Sequence, residues 1–326
     1  METKIIEMMK FARVPFELNA KPGDRVAIIA DTQTDPLVWE TLSAAAHEIG
    51  AEPVVTIMLP RKGHGHEPPD PVAAAMKDSD IVLLVASTAL AHSQARDRAQ
   101  KAGATIIFME QLTSDMLTYG ANADEYREMD ILGKRIEDIW TSGKSVSVRS
   151  TLGTNLTASI EGRRGFHICG VATPSVVGGK RCAFHDGECG VPPVEGTAEG
   201  LWVVDTWMHH CGAIRDPIKL TIEKGKVTKF EGGFEARRLE EYIEKNGDEY
   251  SYYCPSEISI QLNPKLEFTG IGRTDKKVRG GVHIAMGTNS TFGGKITSKL
   301  HLDGVSRNYT IIVDDILVLD KGKIAV

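Results

Sequence analysis

Four short runs of β-favouring residues, Arg25–Ala30, Pro53–Leu59, Ile81–Ala86 and Ala104–Met109, recur along the first part of the chain with helix-period segments between them. That alternation constrains the fold most. A strand that hands over to a helix and returns as the next strand builds parallel βαβ units. Pro22-Gly23-Asp24 introduces the first run. The helix after it, over 36–49, carries Leu37, Val38, Leu42, Ala45, Ala46 and Ile49 at helical spacing and stops at Gly50. Further helices are expected near 71–78 and 92–102, and another over about 122–138 leads to a second unit. The reading is an open parallel sheet with helices on both faces. No dinucleotide-type or P-loop glycine motif follows any of these strands.

From about Val146 the texture changes. Ser147–Leu152 and Asn155–Ile160 alternate with glycine punctuation, and Ile218–Phe230 reads as a hairpin turning at Lys224-Gly225. A second hairpin is expected from Ile316 onward, and one clear helix over Glu235–Asn246. The expected organisation is an α/β domain over 1–145 and a mainly antiparallel β (α+β) domain over 146–326, which carries the chemistry.

Composition excludes several function classes. The longest apolar run, Ile81–Ala86, falls far short of the ~20 residues that a membrane-spanning helix needs. The start, Met1-Glu-Thr-Lys, lacks the basic and apolar regions of a secretory signal. A net charge of −6 with scattered basic residues gives no footprint for nucleic acid. Five cysteines without a CxxC pair argue against a disulfide framework and fit a reducing compartment. A cytoplasmic protein is expected, with no membrane or nucleic-acid partner.

The sharpest local signal is Leu300-His-Leu-Asp-Gly304. In a strand, residues two apart share a face, so His301 and Asp303 project together and offer an imidazole and a carboxylate to one divalent ion. Taken alone, the pair is common and more often describes a histidine hydrogen-bonded to the neighbouring aspartate. Ser256–Leu262 alternates strictly and puts Glu257 on a polar face, while His283 sits in an apolar strand entered and left through glycines. Such glycines often mark close backbone approach. The stretch from His185 to Gly200 crowds Glu188, Glu195 and Glu199 among turn residues.

These segments, taken in order, resemble a known family. Asp186-Gly-Glu188 with Pro192, Glu195–Gly200, Ser256-Glu257, Gly281–Gly287, Gly293-Gly-Lys295 and His301-Leu-Asp303 are similar to the thermophilic-type metalloaminopeptidases. That family includes aminopeptidases T and S, with 2,5-dihydroxypyridine 5,6-dioxygenase as a relative. The resemblance implies metal ligands at Glu188, Glu257, His283, His301 and Asp303, and a dimer or larger homo-oligomer. The peptidases also carry a tyrosine that falls, by spacing, near Ser290, where none stands. The dioxygenase branch shares Ile222–Gly225, Gly232–Ala236, Ala198-Glu-Gly200 and a pair like His92-Ser93. Its third iron ligand, a histidine, corresponds to Glu257 here.

Two mechanisms follow. Three carboxylates crowded with two imidazoles would repel one another unless cations intervene. A two-metal site ~3.5–4 Å across suits hydrolysis through a bridging hydroxide. The primary expectation is therefore a metal-dependent hydrolase of an amide or small cyclic amide-like compound, or of a short peptide. It would use one or two divalent ions (Zn, Co or Mn), with Glu195 or Glu199 as general base and His92 as proton shuttle. The alternative is an Fe(II)-dependent ring-cleavage dioxygenase, with a triad of His283, His301 and Asp303. A non-catalytic metal-binding protein is the third reading.

Overall fold

The computed structural model describes residues 2–63, 65–91, 93–174 and 179–326. They form two compact units, one comprising 1–130 with 168–186 and the other 131–167 with 187–326. Relative to a single cut at 145, residues 131–145 fall in the second unit and 168–186 in the first.

The first unit contains the expected βαβ sheet. Glu52–Met58, Arg25–Asp31, Ile81–Leu84, Thr105–Phe108 and Lys180–Ala183 lie side by side in that order, all parallel. Thr173–Pro174 closes the far edge antiparallel. Three of the apolar runs are largely buried because helices cover them: Ala27, Ile29, Val82, Leu84 and Ile106 pack with Val72, Met76, Leu90, Ala95 and Ala99, whereas the edge run leaves Val54, Ile57 and Leu59 exposed. Helix Pro36–Glu48 begins where the side chain of Asp35 accepts from Leu37 N at 3.0 Å, ahead of a proline that needs no partner for its missing N–H. Two short helices, Glu2–Ala12 and Val14–Asn19, precede the first strand and were not foreseen.

The second unit holds two sheets. One has the strand order Lys226–Glu231, Ile218–Glu223, Glu199–Val204, Asn155–Ser159, Ser145–Arg149, Thr310–Val313, Ile316–Asp320 and Lys323–Ile324, antiparallel throughout. Both expected hairpins lie in it. The other runs Gly212–Ala213, Trp207–Met208, His301–Ser306, Val282–Gly287, Glu257–Gln261, Glu188–Val191 and Phe166–Ile168. The two sheets approach closely at Gly304, where an added Cβ would come within 2.6 Å of the buried Trp202 ring. The helices are Ala123–Ser142, whose larger part belongs to this unit, Phe234–Asn246 and the single turn Gly272–Asp275. No described helix is long and apolar enough to cross a membrane.

Candidate metal centre

Register in the seven-stranded sheet decides which side chains meet. Directly opposed residues of an antiparallel pair share a face. Glu257 is opposite Ala285, which is opposite Asp303; Ser259 is opposite His283; Gly287 is opposite His301; and Glu188 is opposite Gln261. One face of four adjacent strands therefore carries Glu188, Glu257, His283, His301 and Asp303. Small residues on the same face, Gly190, Ser259, Ala285 and Gly287, leave the floor open between them. The opposite face, with Ile258, Ile260, Ile284, Met286 and Leu302, is buried apolar core.

The five side chains form two groups that meet at Glu257. Ligand atoms of Glu188, Glu257 and His283 all lie within 4.8 Å of one another, as do those of Glu257, His301 and Asp303. His283 Nε2 is 3.0 Å from Glu257 Oε1 and 3.6 Å from Glu188 Oε2. His301 Nε2 is 3.1 Å from Asp303 Oδ1 and 3.6 Å from Glu257 Oε2. The triad of His283, His301 and Asp303 is not one of these compact groups among the described residues, because Glu257 stands between its members.

The surroundings aim these atoms. His301 Nδ1 sits 2.8 Å from the carbonyl of Thr288, so it carries the proton and leaves Nε2 facing the carboxylates. Ser259 Oγ donates to Glu257 Oε1 at 2.5 Å. Lys276 Nζ donates to Asp303 Oδ2 at 2.6 Å, and the buried Lys277 pairs with Glu188. His209 N donates to the Asp303 carbonyl at 3.0 Å, while Asp303 N donates to His209 Nδ1 at 3.2 Å, which fixes the proton of that ring on Nε2.

Charge follows geometry. Burial alone would raise the Glu257 carboxyl, but His283 and His301 outweigh it and hold it well below the usual carboxylate range. Asp303 is likewise held low against its burial, by Lys276 and His301. Burial would depress His301, yet Asp303 and Glu257 prevail and raise it to about 10. Burial dominates at His209 and lowers it to about 4, so this ring is neutral near pH 7. Two imidazoles and three carboxylates, mostly buried and mutually aimed, are donors suited to a first-row divalent ion.

The other expected site residues lie elsewhere or outside the described residues. Glu195 pairs with Arg163 and accepts from Asn289 Nδ2 at 3.1 Å and Lys295 N at 2.8 Å, a clamp between loops. Glu199 is exposed and accepts from Lys224 N at 2.9 Å across the hairpin. Neither belongs to the two groups around Glu257. His92 lies outside the described residues. His185 has Nε2 2.5 Å from the Met116 carbonyl and stacks on Tyr119 in the first unit. Near Ser290, where the peptidase tyrosine falls, Phe292 places its ring 5.8 Å from that of His301. Sequence reasoning missed Lys276 and Lys277, because two adjacent lysines carry no signal of burial on their own.

Comparison with known proteins agrees with this architecture. The profile of the 2,5-dihydroxypyridine 5,6-dioxygenase family matches residues 7–326. A 2,5-dihydroxypyridine 5,6-dioxygenase of Pseudomonas putida strain KT2440 is 25% identical over 327 aligned positions, covering 92% of this chain and 90% of that protein. The solved structure of 2,5-dihydroxypyridine dioxygenase from the same strain superposes with a TM-score of 0.83 at 21% identity, over 98% of this chain and 97% of that one. Wild-type AmpT, aminopeptidase T, from Thermus thermophilus superposes with a TM-score of 0.68 at 15% identity, over the whole of both chains.

Proposed function

The chain belongs to the 2,5-dihydroxypyridine 5,6-dioxygenase family, and we propose that within it this member is a metal-dependent hydrolase of an amide or small cyclic amide-like compound. One observation carries the reading: a carboxylate, Glu257, stands at the junction of both ligand groups. Activation of O₂ by a single Fe(II) prefers two histidines and one carboxylate with open positions. A set richer in carboxylate suits an ion that acts as a Lewis acid.

Glu257, His301 and Asp303 would hold one ion, and Glu188 and His283 complete the second group with Glu257. An ion there would polarise a carbonyl and lower the pKa of a water molecule. The protein's own contribution is orientation. Thr288 holds the His301 ring with Nε2 inward, and Ser259 holds Glu257. His209, neutral and protonated on Nε2, offers an N–H donor to a substrate oxygen beside Asp303. Phe292 cannot move a proton, so the hydroxyl of the tyrosine that the peptidases carry has no counterpart there. The general-base role expected of Glu195 or Glu199 passes in this reading to the carboxylates and imidazoles of the two groups.

The second reading is an Fe(II)-dependent ring-cleavage dioxygenase, favoured by the family match over residues 7–326. Aminoacyl anilides, cyclic amides and hydroxypyridines, screened with Mn²⁺, Zn²⁺ or Fe²⁺ with and without oxygen, separate the two. Turnover in an anaerobic chamber supports the hydrolase. Turnover that consumes one O₂ per product and stops without oxygen overturns it in favour of the dioxygenase.

A further inference from the structure

Strand Glu52–Met58 ends the parallel sheet of the first unit and, among the described residues, pairs with Arg25–Asp31 alone. Alternation decides which backbone groups it turns outward. Glu52 N donates to Asp24 O at 2.8 Å, and Thr32 N donates to Met58 O at 3.0 Å. The even-numbered residues therefore face the neighbouring strand, and Pro53, Val55 and Ile57 turn their backbone groups away from it. Pro53, which has no N–H, stands on the side of an edge strand that tolerates it. The side chains along this edge are apolar and uncovered: Val54 is 60% exposed, Ile57 50% and Leu59 72%. No charged residue stands between Glu52 and Arg61. A long uncharged edge of this kind is a template for another strand. Thr56 adds an independent sign, because its Oγ1 is buried and has no hydrogen-bond partner among the described residues.

We infer that this edge binds the same edge of a second copy of the chain, antiparallel about a twofold axis at Thr56. The strand's own sequence selects that partner. Pairing about Thr56 sets Val55 level with Ile57 of the second copy, and their outward amides and carbonyls exchange hydrogen bonds on both sides of the axis. Val54 falls level with Met58, and Pro53 with Leu59, so apolar meets apolar. Thr56 meets Thr56. That is a non-hydrogen-bonded position, where side chains stand closest, and each hydroxyl gains a partner there. Just outside the apolar stretch, Glu52 of each copy comes beside Arg61 of the other, opposite charges at both ends. Neighbouring registers fit worse. An axis at Val55 sets Glu52 level with Met58 and leaves the Ile57 carbonyl facing a proline that has no N–H. An axis at Ile57 sets Thr56 against Met58 and leaves the hydroxyl without a partner. A foreign strand would have to reproduce the pattern that a second copy supplies by symmetry. The contact uses none of the residues around Glu257, so it goes beyond the function proposed above.

Sedimentation equilibrium of the full chain at micromolar concentration reads the assembly. Wild type should have twice the mass of one chain or an even multiple of it. Val55→Pro removes an outward N–H without touching the bonds to Arg25–Asp31, and Ile57→Lys puts a charge on the edge; each should halve the mass. Circular dichroism confirms that both variants are folded. Ile57 is half-exposed, so the lysine variant decides if the proline variant does not fold. Cross-linking reads the register. Mild oxidation of Thr56→Cys should join two chains through a disulfide across the axis, where the two side chains come close enough. Val54→Cys, level with Met58, should not link, and neither should wild type. A monomeric wild type, or one with an odd number of chains, overturns the inference. A folded Ile57→Lys that keeps the wild-type mass overturns it too, because the contact then lies on another surface. Thr56→Cys that links no better than Val54→Cys rules out the axis at Thr56.

Discussion

At the scale of single residues, three carboxylates behave differently because their neighbours differ. Glu257 is buried between imidazoles, Glu195 is half-buried against Arg163, and Asp80 sits at the surface beside Arg25. Burial would raise Glu195, but the amide of Lys295, its own amide, Asn289 and Arg163 hold it lowered. Its hydrogen bonds tie loops together, and a structural role is what Glu195→Gln tests. Glu195→Gln should cost about 1 kcal/mol, the low end of the loss when a charged hydrogen-bond partner is neutralised in a half-buried pair. Chemical denaturation checks the cost, and metal content should stay at the wild-type level; a folded, equally stable variant that has lost its metal would return Glu195 to the site. Asp80 gives the pH prediction. Hydrogen bonds from the Arg25 side chain and backbone lower it to about 2 from an ordinary 3.8. A carboxyl depressed on folding contributes stability above its unfolded value and loses it as pH falls through the folded one. Asp80→Asn should thus melt slightly below wild type at pH 6–7, with the gap closing as melts are repeated down to pH 2. The exposure of both partners keeps the effect small.

At the scale of elements, the site depends on strands that approach more closely than side chains would allow. Gly190 is opposite Ser259, and a Cβ added there would come within 2.0 Å of Ser259 Oγ and 2.9 Å of Ile258 O. Gly190→Ala should therefore push the Glu188 and Glu257 strands apart, costing about 1–3 kcal/mol in the manner of core overpacking. It should also weaken metal affinity, although no ligand has changed. A metal titration with wild-type affinity in a folded Gly190→Ala chain would show that the sheet tolerates the spread. Part of this was legible beforehand. Strict alternation over Ser256–Leu262 put Glu257 on the correct face, and the glycines around His283 announced close contacts. Gly287, with φ of 92°, has the Leu300 carbonyl 2.1 Å from where a Cβ would stand. Register was not legible. Nothing in the two segments says that Glu257 is level with Ala285 and Asp303, because pairing partners are set by the whole sheet rather than by either strand. Lys276 and Lys277 were hidden for a related reason: two adjacent lysines carry no signal of burial until a fold turns them inward.

At the scale of the whole molecule, all five candidate ligands come from the second unit, and the first unit carries none of them. A strand of the first sheet, Lys180–Ala183, arrives late in the chain, after the second unit has begun. Its sequence, Lys-Arg-Cys-Ala, carries no strong β signal, which is why reading the chain from one end to the other draws a single boundary where the chain crosses more than once. The division makes metal linkage a local matter. An ion that binds the folded site and not the unfolded chain stabilises by about 2.7 kcal/mol at a free concentration one hundred times its Kd. That stabilisation should concentrate where its ligands are held. Hydrogen exchange with and without saturating Mn²⁺ should show slower exchange over Glu257–Gln261, Val282–Gly287 and His301–Ser306. Arg25–Asp31 and Ile81–Leu84, in the sheet of the first unit, should keep their rates. Equal protection of both sheets would mean that the ion is linked to the folding of the entire chain, and no change in the three ligand-bearing strands would mean that the metal binds somewhere other than the face they share.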